Sequence, residues 1–364
     1  MYEYSHGGNA AFEPDAVGLL DLSANINPLG LPPGVTEAVL AAMADSQHYP
    51  DSASSKLNRG IAAFDQVDQQ WVFSANGASD VIFRLPRAVQ AERVLISAPT
   101  FSDYERAALS SGARVLRHTL QQHDGFDYTP ALLDAVKRAS HDIVFLCNPN
   151  NPTGRVADTG LIGELLELCR RQDCLLAIDE CFMDFTTDAA TSSARRFLAD
   201  YPNLIIIKAF TKTFAMPGIR LGYALSSSPS LIEGLRFHGP DWPVSNLAQA
   251  AGLAALADAT DYIRRSVSYI AQQRSILEQG LSSLGYQVYP SQANYVFIHS
   301  PYGFDLREAL DAYGIRIRSC ANYQGLDDSY YRIAVSTSEN NARLLAALQA
   351  VSQDAGSGSG GTDA

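Results

Sequence analysis

From residue 72 to about 180 the chain switches repeatedly between short apolar runs and stretches whose apolar positions recur every three to four residues. The runs at 93–97, 114–118, 142–147 and 174–178 read as buried strands, and 79–90, 102–111, 130–139 and 158–171 have helical spacing. Alternation of this kind puts successive strands in a mostly parallel sheet covered by helices on both faces. Two further strands, 204–207 and 220–224, follow. After residue 240 the pattern changes. Helical periodicity runs from 246 to about 284, and strands at 286–289, 295–298, 315–317 and 331–335 are flanked by helices at 305–313 and 339–351. The expectation is an α/β protein with an N-terminal arm over 1–30 and a large domain over 31–240. A smaller α+β domain should cover 241–352, followed by a disordered Gly/Ser tail over 353–364.

Length supports two domains, because 364 residues exceed what one hydrophobic core usually serves. A net charge of −12 argues against nucleic acid as a partner, since a phosphate backbone calls for a basic face. It leaves room for a small anionic substrate gathered by local arginines. Residues 1–9 hold no signal-peptide core and no apolar run approaches a membrane span, so a cytoplasmic protein without membrane contact is expected. The five cysteines are odd in number and form no CxxC pair, which suits reduced, buried thiols. The seven histidines lack metal-ligand spacing, and no metal centre is expected.

Chemistry concentrates around the lysines, of which there are four: Lys56, Lys137, Lys208 and Lys212. The first two lie in polar helical stretches and suit solvated charges. Lys208 and Lys212 both follow the apolar run 204–207, where burial can lower an amine's pKa and make it a nucleophile. Position alone does not choose between them. Thr211-Lys212 followed by Gly218-Ile-Arg-Leu-Gly-Tyr223 resembles the lysine segment of the class I/II aminotransferases, which depend on pyridoxal 5′-phosphate (PLP). That resemblance implies the PLP-dependent transferase fold of type I. It makes Lys212 the residue that carries the cofactor as a Schiff base, and Arg220, eight positions on, a ligand of its phosphate. The family usually has Ser or Thr where Ala209 stands, so the phosphate should lean more on Arg220 and Ser79.

Other segments match in the family's order. Asn148-Pro-Asn-Asn-Pro-Thr-Gly154 would be a turn on pattern alone; by resemblance it sets Asn151 against the phenolic oxygen of PLP, through a cis bond to Pro152. Asp179, closing the run 174–178, matches the aspartate that keeps the pyridine nitrogen protonated, an electron sink for charge at Cα. Phe182 stands where many relatives have a tyrosine. Gly77-Ala78-Ser79 opens a helix whose free N–H groups suit a phosphate. Phe101, with Tyr104 as an alternative, resembles the aromatic that stacks on the ring, and Tyr49, in a Tyr-Pro-Asp segment, resembles the tyrosine that reaches the phosphate of a neighbouring subunit. The last match implies a homodimer.

Within the superfamily, His6-Gly-Gly-Asn9, Leu22-Ser-Ala-Asn-Ile-Asn-Pro-Leu-Gly30, the run from Trp242 to Gly252 and Ile317 to Leu326 resemble the L-threonine-O-3-phosphate decarboxylases of cobalamin biosynthesis. The implied substrate is a small phosphorylated amino acid. Arg332 would clamp its carboxylate and Arg318 its phosphate, with His6 and Asn27 nearby, although both Arg316 and Arg318 also suit solvated strand-edge charges. Ser336 occupies a position where relatives often carry a basic residue. Amino transfer from histidinol phosphate, decarboxylation of phosphoserine, and PLP binding without turnover stay open as alternatives.

Overall fold

The computed structural model of the chain describes residues 7–8 and 18–358. His6, Asn9 and 359–364 therefore lie outside the described residues. In chain order the strands are β1 (Leu20–Asp21), β2 (Val72–Ala75), β3 (Arg93–Ala98), β4 (Arg114–Thr119), β5 (Ile143–Cys147), β6 (Leu175–Asp179), β7 (Leu204–Ala209), β8 (Gly222–Leu225), β9 (Gln287–Tyr289), β10 (Tyr295–His299), β11 (Ile315–Arg316), β12 (Arg318–Ser319) and β13 (Tyr330–Ala334).

Seven strands form the main sheet, in the order β2-β8-β7-β6-β5-β3-β4. The pairs from β7 through β4 are parallel, whereas β8 runs antiparallel to both of its neighbours. The central strands β5, β6 and β7 are buried at every position, as a parallel sheet covered on both faces requires. Side chains alternate between the two faces with the strand period of two. Leu146, Ile178 and Ile206 point into one core; Phe145, Ala177 and Ile205 point into the other. The helix Thr159–Arg171 shows how the covering layer is specified. Asp158 caps it by accepting from Gly160 N and Leu161 N, and Leu161, Ile162, Leu165, Leu166 and Cys169 form its buried stripe.

A second, antiparallel sheet has the order β12-β13-β10-β9 and its own core, including Ile270, Leu277, Val296, Ile298 and Ile333. The passage between the two cores lies downstream of residue 240. Val244, Ala248, Ala251 and Tyr262 pack in the large core and Ile270, Leu277 and Leu281 in the small one, so the helix Ala259–Ser283 spans the junction. The strand expected at 315–317 is two short strands: β11 pairs parallel with β1, and β12 joins β13. β1 and β11 form a separate two-stranded sheet, and Ala334 N of β13, donating to Leu22 O beside it, ties the described part of the N-terminal arm to the small sheet. The last helix, Ser338–Gly358, continues into the stretch expected as a tail.

Candidate active site

Asp179 ends β6, Asn151 lies in the turn after β5, and Lys212 lies in the one-turn helix Phe210–Thr213 after β7. Their carboxyl-end placement in an open α/β sheet is where ligands bind. A cavity of about 250 Å³ opens there, lined among others by Ala78, Ser79, Phe101, Asn151, Asp179, Thr211, Lys212, Arg220, Arg318 and Arg332.

The Lys212 amine makes no hydrogen bond or ion pair among the described residues. Burial, with Arg332 and then Arg220 adding repulsion, pulls its pKa down to about 8. A deprotonated amine is therefore available near neutrality. Asp179 accepts from Tyr104 Oη at 2.6 Å and from Cys181 N at 3.0 Å. No ion pair among the described residues includes it, and burial pushes its carboxyl above the usual range. A buried carboxylate without a cation suits a cationic ligand group.

Asn151 has its amide oxygen engaged by Arg332 Nη1 and by Tyr323 Oη, the latter at 3.4 Å. Its NH₂ is left to donate elsewhere. The Asn151–Pro152 bond is cis, as expected. Arg332 Nη2 donates to Ser23 O at 2.7 Å, while its buried Nε has no partner. Arg318 stands directly across from Arg332 in the antiparallel β12–β13 register. Directly opposed residues share a face, with Cβ atoms about 4.5–5.5 Å apart, and like charges there repel.

Also on the cavity wall, the helix Ala78–Ala88 starts without a side-chain cap, at Gly77 with φ 83°. A Cβ at Gly77 would lie 2.8 Å from Arg220 Nη2, and one at Gly222 2.4 Å from Ala78 N. Glycine at both positions lets the helix terminus and Arg220 approach closely, which leaves uncapped N–H groups beside a guanidinium for an anion. Ser79 Oγ donates to Asp103 Oδ2 at 3.2 Å. Donors for a phosphate, a carboxylate for a ring nitrogen and a free amine together fit PLP.

The residues named from sequence fall into three groups. Gly77 backs the cradle through its contact with Arg220; Ala78, Ser79, Phe101, Asn151, Asp179, Thr211, Lys212, Arg220, Arg318 and Arg332 line the cavity, as does Phe182. Asn27 and Tyr49 do not line it. Asn27 is buried and spends its NH₂ on Thr213 O and Ser266 Oγ, each at 2.8 Å. Tyr49 is 79% exposed and stacks on Trp242 in a neighbouring cleft that Arg220 also lines. His6 lies outside the described residues, although Gly7 lines the cavity. Lys208 is buried away from it, bonded to Asp65 and Asp184. The sequence marked Ser23–Asn25 and Tyr323 only as parts of matching segments, without a place in the site. It held Tyr104 only as a stacking candidate; in the fold Tyr104 stacks on Phe145 and binds Asp179.

The class I and II aminotransferase model matches residues 17–348. The chain belongs to that family. Its cofactor is pyridoxal 5′-phosphate and its fold that of the PLP-dependent transferases. Family members similar to it include the threonine-phosphate decarboxylase of Salmonella typhimurium, 35% identical with 96% of this chain and 97% of that one covered. The crystal structure of the histidinol-phosphate aminotransferase from Clostridium acetobutylicum superposes with a TM-score of 0.86 at 30% identity, covering 92% of this chain and all of the other. The Sinorhizobium meliloti histidinol-phosphate aminotransferase, solved with pyridoxal-5′-phosphate, shares the fold at 24% identity with a TM-score of 0.80, covering 91% and 90%.

Proposed function

We propose that this family member decarboxylates L-threonine O-3-phosphate to (R)-1-amino-2-propanol O-2-phosphate for cobalamin biosynthesis, acting as a cytoplasmic homodimer. The carrying observation is the opposed pair of Arg318 and Arg332 on one face of β12–β13, in the cavity that holds Lys212. Two guanidinium groups side by side are stabilised by a substrate with two anionic groups, one for each. A carboxylate can take a bidentate hold on Arg332, whose Nε is unpartnered; the phosphate falls to Arg318.

The cofactor would be held by Arg220 and the Ala78 helix terminus at its phosphate, by Asn151 at its phenolic oxygen and by Asp179 at its ring nitrogen. When bound, PLP supplies an electron sink for the pair left on Cα as a bond to it breaks. Asp179 keeps the nitrogen proton in place, and Tyr104 keeps the Asp179 carboxylate aimed. The arginine pair decides which Cα bond stands ready to break, by fixing carboxylate and phosphate together. With its pKa near 8, Lys212 can return a proton from Nζ to Cα after CO₂ departs. Departure of CO₂ and uptake of one proton balance the reaction.

The rival is amino transfer on a histidinol-phosphate-type substrate, favoured by the superposition on the Clostridium aminotransferase. Histidinol phosphate offers no carboxylate to Arg332. Mixing purified enzyme with threonine phosphate should release CO₂ with no 2-oxo acid present. Arg332→Ala should lose roughly two or more orders of magnitude in kcat/KM, because an anion is then desolvated without its cation, while PLP stays bound. Transfer of the amino group of histidinol phosphate to 2-oxoglutarate, with no CO₂ from threonine phosphate, would overturn this reading and leave the family and cofactor intact.

A further inference from the structure

The helix that carries Lys212 is a single turn, Phe210–Thr213. A turn of this length has too few internal bonds to hold itself, since helix nucleation is unfavourable. Within it and at its end, Phe214 N donates to Phe210 O at 3.0 Å and Ala215 N to Lys212 O at 3.3 Å. Ala215 then leaves the helix at φ 53°, in the left-handed region. Where the Lys212 amine stands is therefore set by what the turn is attached to.

The attachments converge on Thr213, which is 2% exposed. Its hydroxyl donates to Asp184 Oδ2 at 3.1 Å, and its carbonyl accepts from Asn27 Nδ2 at 2.8 Å. Both holding groups are themselves held. Asp184 Oδ1 accepts from Lys208 Nζ at 2.9 Å, and Lys208 also donates to Asp65 Oδ1 at 3.2 Å. Asp65 is fully buried and takes further bonds from Tyr223 Oη at 2.6 Å and Arg195 Nη1 at 3.1 Å. Asn27 donates also to Ser266 Oγ, which donates to Tyr262 O, and its own amide oxygen accepts from Leu29 N at 3.1 Å. Asp65, Lys208, Asp184, Thr213 and Tyr223 do not line the cavity, so none of them touches the reacting atoms.

We propose that Asp184 and Asn27 are positioning residues that grip Thr213 from two sides and thereby fix the Lys212 amine in the cavity, with Lys208 and Asp65 holding Asp184 to that task. The inference rests on Lys212 being the cofactor lysine. It gives a role to the other strand-end lysine: Lys208 acts on Lys212 through Asp184 and Thr213. It also gives Asn27, which lines an adjoining cleft with Lys212, a part in support of the lysine turn. The charged and titratable groups facing Lys212 are Arg332, Arg220 and the Cys181 thiol. Burial first, and the two arginines after it, lower the proton affinity of the free amine, so a loosened turn that changes either also changes the proton affinity of the nitrogen held there.

The test uses the PLP-loaded enzyme and two readouts, steady-state kinetics and the pH midpoint of the visible absorbance of the lysine–cofactor linkage. Thr213→Val removes the hydroxyl at nearly constant volume. It should shift the midpoint and lower kcat roughly tenfold, as slight misplacement of a reacting group does, with KM little changed. Thr213→Ser should restore both values. Asn27→Ala, which releases the other side without touching the ion pairs, should repeat the effect and serves alone if Thr213→Val does not fold. Variants that fold, retain PLP and keep the parent midpoint and kcat would overturn the proposal. So would a fall in kcat with an unmoved midpoint, since general loosening does the same. Lys212→Ala is the control: persistence of the linkage absorbance there counts against Lys212 as the cofactor lysine, a separate failure.

Discussion

Glu180 follows Asp179 directly and is 1% exposed, yet among the described residues no arginine or lysine bonds to it. Its carboxylate accepts from Ser193 Oγ and Ala194 N, each at 2.7 Å. Burial dominates over those bonds and over the attraction of Lys208, and lifts its pKa to about 7. A carboxyl whose folded pKa lies above its unfolded value of 4.5 binds more protons when folded. Its contribution is then full below about pH 4.5 and is lost as pH rises toward 7, on the order of 3 kcal/mol across the window. Glu180→Gln can keep both contacts, donating to Ser193 and accepting from Ala194. It should flatten the fall of the urea midpoint between pH 5 and 8; an unchanged slope would show that Glu180 does not carry the charge change. Legibility at this scale followed locality. Lys212, Arg220 and Asn151 stand at fixed spacings inside short motifs, so sequence marks them. The bonds from Tyr104 to Asp179 and from Tyr323 to Asn151 join residues 75 and 172 positions apart. No periodicity records such pairings.

At the scale of elements, the parallel core was legible because β5, β6 and β7 are buried on both faces: β5 is apolar throughout, and β6 and β7 each open with four apolar residues before Asp179 and Lys208. β2 was harder to read. It is a four-residue edge strand, Val-Phe-Ser-Ala, closed by antiparallel pairing with β8 rather than by a crossover helix. The helix Ser55–Asp65 was hidden by composition, since its buried face includes Asn58 and Asp65 besides Leu57 and Ile61. Asn58 earns that place by accepting from Ser74 Oγ at 2.6 Å. Ile315 to Ser319 shows another limit: one extended run supplies two sheets, and only the partners β1 and β13 decide where it divides. Capping is the element-level feature with the plainest energetic consequence. Asp158→Ala should expose Gly160 N and Leu161 N and cost about 1 kcal/mol. The urea midpoint should fall while kcat/KM stays at its parent value, because Asp158 does not line the cavity.

For the whole molecule, one surface is less polar than a free monomer would favour. Leu40 is 67% exposed, Met43 54%, Tyr49 79% and Trp242 46%. They belong to one region: the helix Val35–Ala42 packs on the helix Asn246–Ala257, and Asn246 Nδ2 donates to the carbonyls of Asp45 and His48. Contiguous exposed apolar groups of this kind mark an interaction surface. Tyr49 and Trp242 line a cleft shared with Arg220, which also lines the cavity. A second copy seated on this surface would cover the aromatic pair and close the cofactor site from outside, the arrangement the proposed homodimer requires. Such an interface needs about 800 Å² from each subunit, more than the aromatic pair alone supplies, so the Leu40–Met43 helix end should be buried with it. Trp242→Asp places a charge at the centre of that patch. It should sediment as a monomer where the parent sediments as a dimer, hold PLP less tightly and lose most of its activity. A parent protein that is fully active as a monomer would show that the site is complete within one chain, and a Trp242→Asp variant that remains dimeric with unchanged PLP affinity would show that this surface is not the interface.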